Sequence, residues 1–304
     1  MGLTNFPHGI SSFGVPVLPS GDVPHTGNVY FVRSTVGANG NVGSFDSPFA
    51  TIDYAIGMCT ASNDDVIFVK AGHAETIAAA GGITADVAGI SIIGLGNGNA
   101  RPTISWSATA SSFLITAANV TIKNIITTNT IDAVVSMFAV SAAGCTFDAV
   151  DFVPTTGVAI QFLLTTAAAD QLTVKNCFHR QTAAAAVAQK WIQLVGTDRS
   201  RILNNTIWAT ARADAASIAI SGSTAVVECE IVGNRIAWLG ATITGIINLV
   251  TGSTGVISDN RCAGGAAVVA ATAIVGDACF KFENYVTNTA ASSGLLNPTV
   301  DTLT

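Results

Sequence analysis

"LTVKNCF", residues 172–178, is the stretch whose reading decides the fold. Apolar Leu172 and Val174 alternate with polar Thr173 and Lys175, the period of a strand with one buried face. Asn176 interrupts the alternation, and Cys177 and Phe178 resume an apolar run. The same arrangement returns as "VTIKNII" at 120, "RILNNTI" at 201, "EIVGNRI" at 230, "GVISDNRC" at 255 and "KFENYV" at 281. "CTFDAVDF" at 145 fits with Ala149 in the asparagine's place. The marked positions, 124, 149, 176, 205, 234, 260 and 284, lie 24 to 29 residues apart, and the register is open by one residue where Asn204 and Asn205 adjoin.

A second apolar set lies between these units, including "FLI" at 113, "MFAV" at 137, "IQFLL" at 160, "WIQLV" at 191, "IAI" at 218 and "IINLV" at 246. Two short strands per period cannot bury their own faces, so each period must stack on the next. Alternation with period two excludes helical repeats, and turns at Gly, Asn and Asp suit a coil of about 25 residues. The expected fold is all-β: a right-handed, single-stranded parallel β-helix. Counting back through "ISIIGLG" at 90 and "DVIFVKAG" at 65 gives about nine coils and a column roughly 40 Å tall.

Asn124, Asn176, Asn205, Asn234, Asn260 and Asn284 are expected to stack as a structural ladder of amides that satisfy one another and the turn backbone. An open end of such a column invites edge pairing and must be covered. "SPFATIDYAIGMC", 47–59, reads as that cover: Ser47 or Asp46 caps a helix, Pro48 suits its first turn, and Phe49, Ile52, Ala55, Ile56 and Cys59 recur at helical spacing. The chain therefore divides into an extended N-terminal arm (1–27), a strand and capping helix (28–64), the β-helix (65–288) and a C-terminal tail (289–304).

Charged residues make up 11% of the 304-residue chain, against about a quarter in a typical soluble domain. The net charge is −6 and the 13 Lys and Arg are scattered, which argues against a nucleic-acid partner. No run approaches 18 apolar residues and no basic segment precedes an apolar one, so a soluble, cytosolically made protein without a membrane partner is expected. The six cysteines are far apart with no C-x-x-C pair, so they read as buried thiols. No metal and no cofactor is called.

Glycoside hydrolysis needs two facing carboxylates, and lyase chemistry a carboxylate-bound cation with a base. Only 19 Asp and Glu are present, with Asp64/Asp65, Asp148/Asp151 and Glu228/Glu230 as the pairs. Glu228 and Glu230 share the solvent face of a strand, and Lys123, Asp148 and Lys175 form an alternating-charge column on the outer wall. His8 and His25 fall in the arm, and His73 and His179 in turn or surface positions. No catalytic residue is named, and the chain is expected not to be an enzyme. Trp208 and Trp238, in neighbouring coils, leave room for a weak glycan-binding patch.

"TNFPHGISSFGVPVL", 4–18, has no core of its own to join. Its prolines deny a helix, and Phe6, Pro7, Ile10, Phe13, Val15, Pro16 and Val17 are the candidate anchors for a partner's groove or sheet edge, the alternative being an arm folded back over its own or a neighbouring subunit's β-helix. This segment, followed by "GNVYFV", "SPFATIDYAIGMCTA", "DVIFVKAGHAETI" and "AGISIIGLGNGNARPTI", resembles tailed-bacteriophage virion proteins that place a T-N-F-P-x-G-x-S-S-F-G-V-P-V arm ahead of a right-handed β-helix. The resemblance covers about the first 105 residues in detail, with His8 where the pattern has Asn. It implies a structural virion protein assembled in the host cytoplasm, of head-decoration type. It further implies a homotrimer docked through the arm onto the major capsid protein or another virion protein. The alternative is a tail-spike-like β-helix that binds or depolymerises host surface polysaccharide.

Overall fold

The computed structural model describes residues 27–155, 157, 159–181, 188–210, 216–240 and 242–288, together with the backbone of Ser11–Ser12 and Val15–Pro16. The chain winds as an all-β parallel solenoid. About eight turns are complete, where the sequence suggested nine coils, and a ninth is begun by residues 278–282 and Tyr285–Asn288.

Each turn has three strands, where the sequence suggested two. One turn runs through Thr121–Lys123, Ile126–Asn129 and Val134–Val140. "VTIKNII" is thus two strands meeting at a sharp bend, with Asn124 and Ile125 between them. The corresponding strands of successive turns pair in parallel, building three walls. The first and third walls merge because Ile247–Ser258 and Ile274–Phe282 run along both.

Alternation turns alternate side chains of the strands into the column. Ile92, Ile122, Phe147, Val174, Ile202 and Ile231 stack behind the first wall, all buried and all in register. Complete burial of such a side chain contributes about 1.5–3 kcal/mol, so the stack outweighs any local strand preference. The second wall's interior is more mixed. Thr127, Phe152, His179, Ile207 and Ile236 follow one another there, with His179 fully buried at 4.4 Å from the Phe162 ring centroid. A surface or turn position, as expected for His179, is therefore corrected to a core position.

The entry to the column is covered. Val29–Val32 pairs with Val66–Val69, and α1, Ile52–Gly57, packs Ile52, Ala55 and Ile56 over these strands and over Ile83–Ala85. Its N-cap is Thr51, whose Oγ1 accepts from Tyr54 N at 3.3 Å, and not Ser47 or Asp46. The helix starts late because Phe49 is bridged to Val32 as an extra rung of the first wall. His73 is buried here too: Ser34 N donates to its Nδ1 at 3.0 Å. The proton therefore lies on Nε2, which donates to Glu75 Oε2 at 3.0 Å, and the same oxygen accepts from Ile52 N at 3.0 Å. His73 and Glu75 thus lock the helix onto the first complete turn.

In the arm, the described backbone pairs Ser11–Ser12 antiparallel with Val15–Pro16. Phe6, Pro7, Ile10, Phe13 and Val17 lie outside the described residues, as does the tail 289–304.

Candidate functional site

The six asparagines fall into two columns one residue apart. Asn124 and Asn176 occupy the bend position with φ of 58° and 55°, and in later turns Asn204, Gly233, Asp259 and Glu283 take it with φ of 55°, 71°, 54° and 54°. Asparagine suits this left-handed conformation because its short polar side chain costs little there. Asn124 Nδ2 donates to Gly94 O at 2.7 Å, and Asn176 Nδ2 to Asp148 Oδ1 at 2.9 Å. Neither touches the other asparagines.

Asn205, Asn234, Asn260 and Asn284 stand at the next position, buried under the bend. The Nδ2 of Asn284 donates to Ile257 O at 2.7 Å, and that of Asn205, Asn234 and Asn260 in each case to the Oδ1 of the following rung at 2.9 Å. The same oxygens accept the backbone N–H of Asn205, Asn234 and Asn260 at 3.0, 3.0 and 3.1 Å. Asn205 Oδ1 ends the series by accepting Cys177 N at 2.8 Å. In earlier turns the position is filled by Ile125, Val150 and Cys177, all buried. The ladder is thus a device of the C-terminal half alone, built to satisfy a bend that apolar side chains close elsewhere.

The carboxylate pairs are held in structural contacts. Asp65 accepts from Asn28 N at 2.6 Å, Thr60 N at 2.7 Å and Asn63 Nδ2 at 2.7 Å. Asp148 lies between Lys123 at 3.4 Å and Lys175 at 3.9 Å on the first wall, the alternating column expected from spacing. Asp151 pairs with Arg101, and Glu230 with Arg201 at 2.8 Å.

Five of the six thiols are buried. Burial pushes Cys177 and Cys262 up to about 12. Cys229 and Cys279 face each other across Gly255. Donation of a hydrogen bond to the Cys279 sulfur, with burial, holds the Cys229 thiol protonated. Two strand spacings separate their backbones by about 9.6 Å, beyond the ~7 Å reach of a disulfide.

The second wall carries a column of outward-facing cations. Strands Phe178–Gln181, Thr206–Ala209, Arg235–Trp238, Arg261–Gly264 and Tyr285–Asn288 stack there in register. Their outward side chains form two columns: Phe178, Thr206, Arg235, Arg261, Tyr285, and beside it Arg180, Trp208, Ala237, Ala263, Thr287. Ala237 and Ala263 leave space next to the two guanidiniums, and a shallow groove of about 650 Å³ results. Trp208 is 48% exposed and Tyr285 40% exposed. No Asp or Glu lines the groove.

Sequence reasoning placed Trp208 and Trp238 together, but only Trp208 is on this surface. Trp238 pairs with Ala209, one residue along, and its side chain is buried in the column. Trp106 and Trp191 are buried as well. Arg235, Arg261 and Tyr285 were not singled out. The signal was present in spacing: from Phe178 the column recurs after 28, 29, 26 and 24 residues, the same increments as the turns themselves.

No protein-family model matches the chain, and no curated protein matches it. Three solved structures are similar to the chain at low identity. A rhamnogalacturonan lyase is 13% identical over 88% of this chain and 89% of its own, with a TM-score of 0.42. A GH136 lacto-N-biosidase from Eubacterium ramulus is 10% identical over 86% of this chain and 68% of its own, with a TM-score of 0.38. ORF18 of Geobacillus virus E2 is 12% identical over 80% of this chain and 59% of its own, with a TM-score of 0.29. Two of the three are named as enzymes, which corrects the expectation that the chain is not one. That expectation rested on a scarcity of Asp and Glu, yet two carboxylates suffice for glycoside cleavage, so a whole-chain count does not bear on it.

Proposed function

We propose that the chain is a structural component of a bacteriophage particle, of head-decoration type, that assembles as a homotrimer through the third wall of its solenoid and docks through residues 1–27. The observation that supports this reading is the chemistry of that wall. Thr84, Leu114, Ala139, Leu164, Gln193, Ser221, Asn248 and Val275 form one continuous outward column over eight strands. None is charged, and all are buried or half-buried within the single chain. The first wall, by contrast, carries the charged Lys123, Asp148, Lys175, Arg201 and Glu230 on its outer side, and the second Arg180, Arg235 and Arg261.

A charge-free column about 34 Å tall, at one strand spacing per turn and flanked by Lys190, whose Nζ donates to Gln193 Oε1 at 3.1 Å, can be covered with few unpaired ions to bury, the largest penalty an interface faces. Parallel columns packed by one face around a common axis give closed symmetry with every subunit equivalent. The resemblance of "TNFPHGISSFGVPVL" to virion arms supplies the docking element.

The test has two parts. Leu164→Glu places a charge in the middle of the wall, and native mass spectrometry is expected to show monomer where the parent shows trimer. Phage particles assembled with a chain lacking residues 1–27 are expected to lose the protein. Full occupancy by the truncated chain overturns the docking role, and an unchanged trimer in Leu164→Glu overturns the interface.

A further inference from the structure

We infer that the groove on the second wall is a binding site for an acidic oligosaccharide, held by Arg235 and Arg261 with Trp208 and Tyr285 as flanking platforms. Arg235 and Arg261 sit directly opposite each other on adjacent strands, about 4.8 Å apart along the column. Like charges in that relation repel, and neither has a carboxylate partner among the described residues. The net charge is −6, so carboxylates were available to neutralise them, as Asp148 does for Lys123 and Lys175 one wall away. An uncompensated guanidinium pair in an acidic protein is a site for an external anion, and the planar fork favours a carboxylate or an ester sulfate.

The rest of the groove selects what carries that anion. Trp208 and Tyr285 bracket the arginines with amphipathic faces that are open to solvent. Ala237 and Ala263 keep the floor low, and Thr206 and Thr287 offer hydroxyls at its edges. Five strands give a trough about 19 Å long, suited to a short chain of rings. A nucleic-acid strand also pairs stacking with cations, but it needs a basic track along the backbone. Here Asp151 lies directly below Phe178 on the same column, which ends the positive stretch. The assignment does not depend on where the protein resides in a particle.

The experiment is a fluorescence titration of the purified full chain, since Trp208 alone of the four tryptophans is exposed. The probes are oligogalacturonate, hyaluronate and dextran-sulfate oligomers, with a neutral malto-oligosaccharide and oligo-dT as comparisons. At least one acidic saccharide is expected to bind ten-fold or more tightly than the neutral one, with affinity falling as salt rises. Arg235→Gln/Arg261→Gln is expected to lose that preference, and Trp208→Phe the signal, with circular dichroism and melting unchanged. If the glutamine pair unfolds, Arg235→Lys/Arg261→Lys serves instead and is expected to lose at least three-fold with the charge kept. Equal binding of neutral and acidic saccharides, tighter binding of oligo-dT, or no binding of any acidic saccharide at millimolar concentration overturns the inference.

Discussion

Asn234→Ala is the sharpest test of how the C-terminal half of the column is held. Asn234 Oδ1 accepts from Asn205 N at 3.0 Å and from Asn205 Nδ2 at 2.9 Å. Its Nδ2 donates to Ile202 O at 2.9 Å, Val232 O at 3.2 Å and Asn260 Oδ1 at 2.9 Å. Alanine removes all five contacts in a site closed to water, and the Asn205 N–H loses the acceptor it has. A buried unsatisfied donor costs about 1–3 kcal/mol, and each hydrogen bond lost contributes about 1 kcal/mol net. The expected destabilisation is about 3–5 kcal/mol, read from urea unfolding followed by circular dichroism. Amide exchange at Asn205 and Asn234 is expected to accelerate together, because the rungs are linked. The contrast is Asn176→Gly, the same residue type one position earlier in the turn. Its side chain is exposed and its φ of 55° suits glycine, so a change within about 0.5 kcal/mol is expected. Comparable losses in the two variants would refute the division of the asparagines into a bend column and a ladder.

Other consequences follow from particular residues. Ala149 holds φ at 54° without the side chain that eases it, so Ala149→Gly is expected to stabilise by about 1 kcal/mol in the same unfolding assay. Glu75→Ala removes the acceptor shared by His73 Nε2 and Ile52 N; a loss of about 2–3 kcal/mol is expected, with faster proteolysis within residues 47–59. Cys177 and Cys262 are raised by burial from 9.0 to about 12. A thiol raised in the folded state gives stability that is complete below its unfolded value and disappears as pH climbs through the folded one. Stability is therefore expected to fall between about pH 9 and pH 12, and less steeply in Cys177→Ala/Cys262→Ala; an identical slope in that variant would contradict the assignment.

The period of the solenoid was legible because burial of one strand face per turn leaves an alternating apolar signature that survives any choice of surface. "LTVKNCF" and its relatives show it without help. The number of walls was not legible: a two-residue bend does not break an apolar run, so Thr121–Lys123 and Ile126–Asn129 read as one strand. The same bend hid the two asparagine roles. Asn suits both a left-handed backbone and a buried ladder, and only at Asn204 and Asn205, where the chain uses it for both in succession, did the ambiguity surface. His73 closes the turn from Lys70 as expected, but its burial and that of His179 were not legible because they depend on partners far along the chain, Ser34 for one and Phe162 for the other. The groove was out of reach for a related reason: its residues come from five turns, and their meeting depends on a register that no single turn contains.

The most direct test of the proposed role is electron cryomicroscopy of intact phage particles carrying the chain, beside particles that lack it. The account predicts columns of density with three-fold symmetry, about eight strand spacings tall, or roughly 38 Å, standing on the head and vanishing with the chain. Heads of identical appearance in the two preparations, with the chain absent from the washed particles, would contradict it.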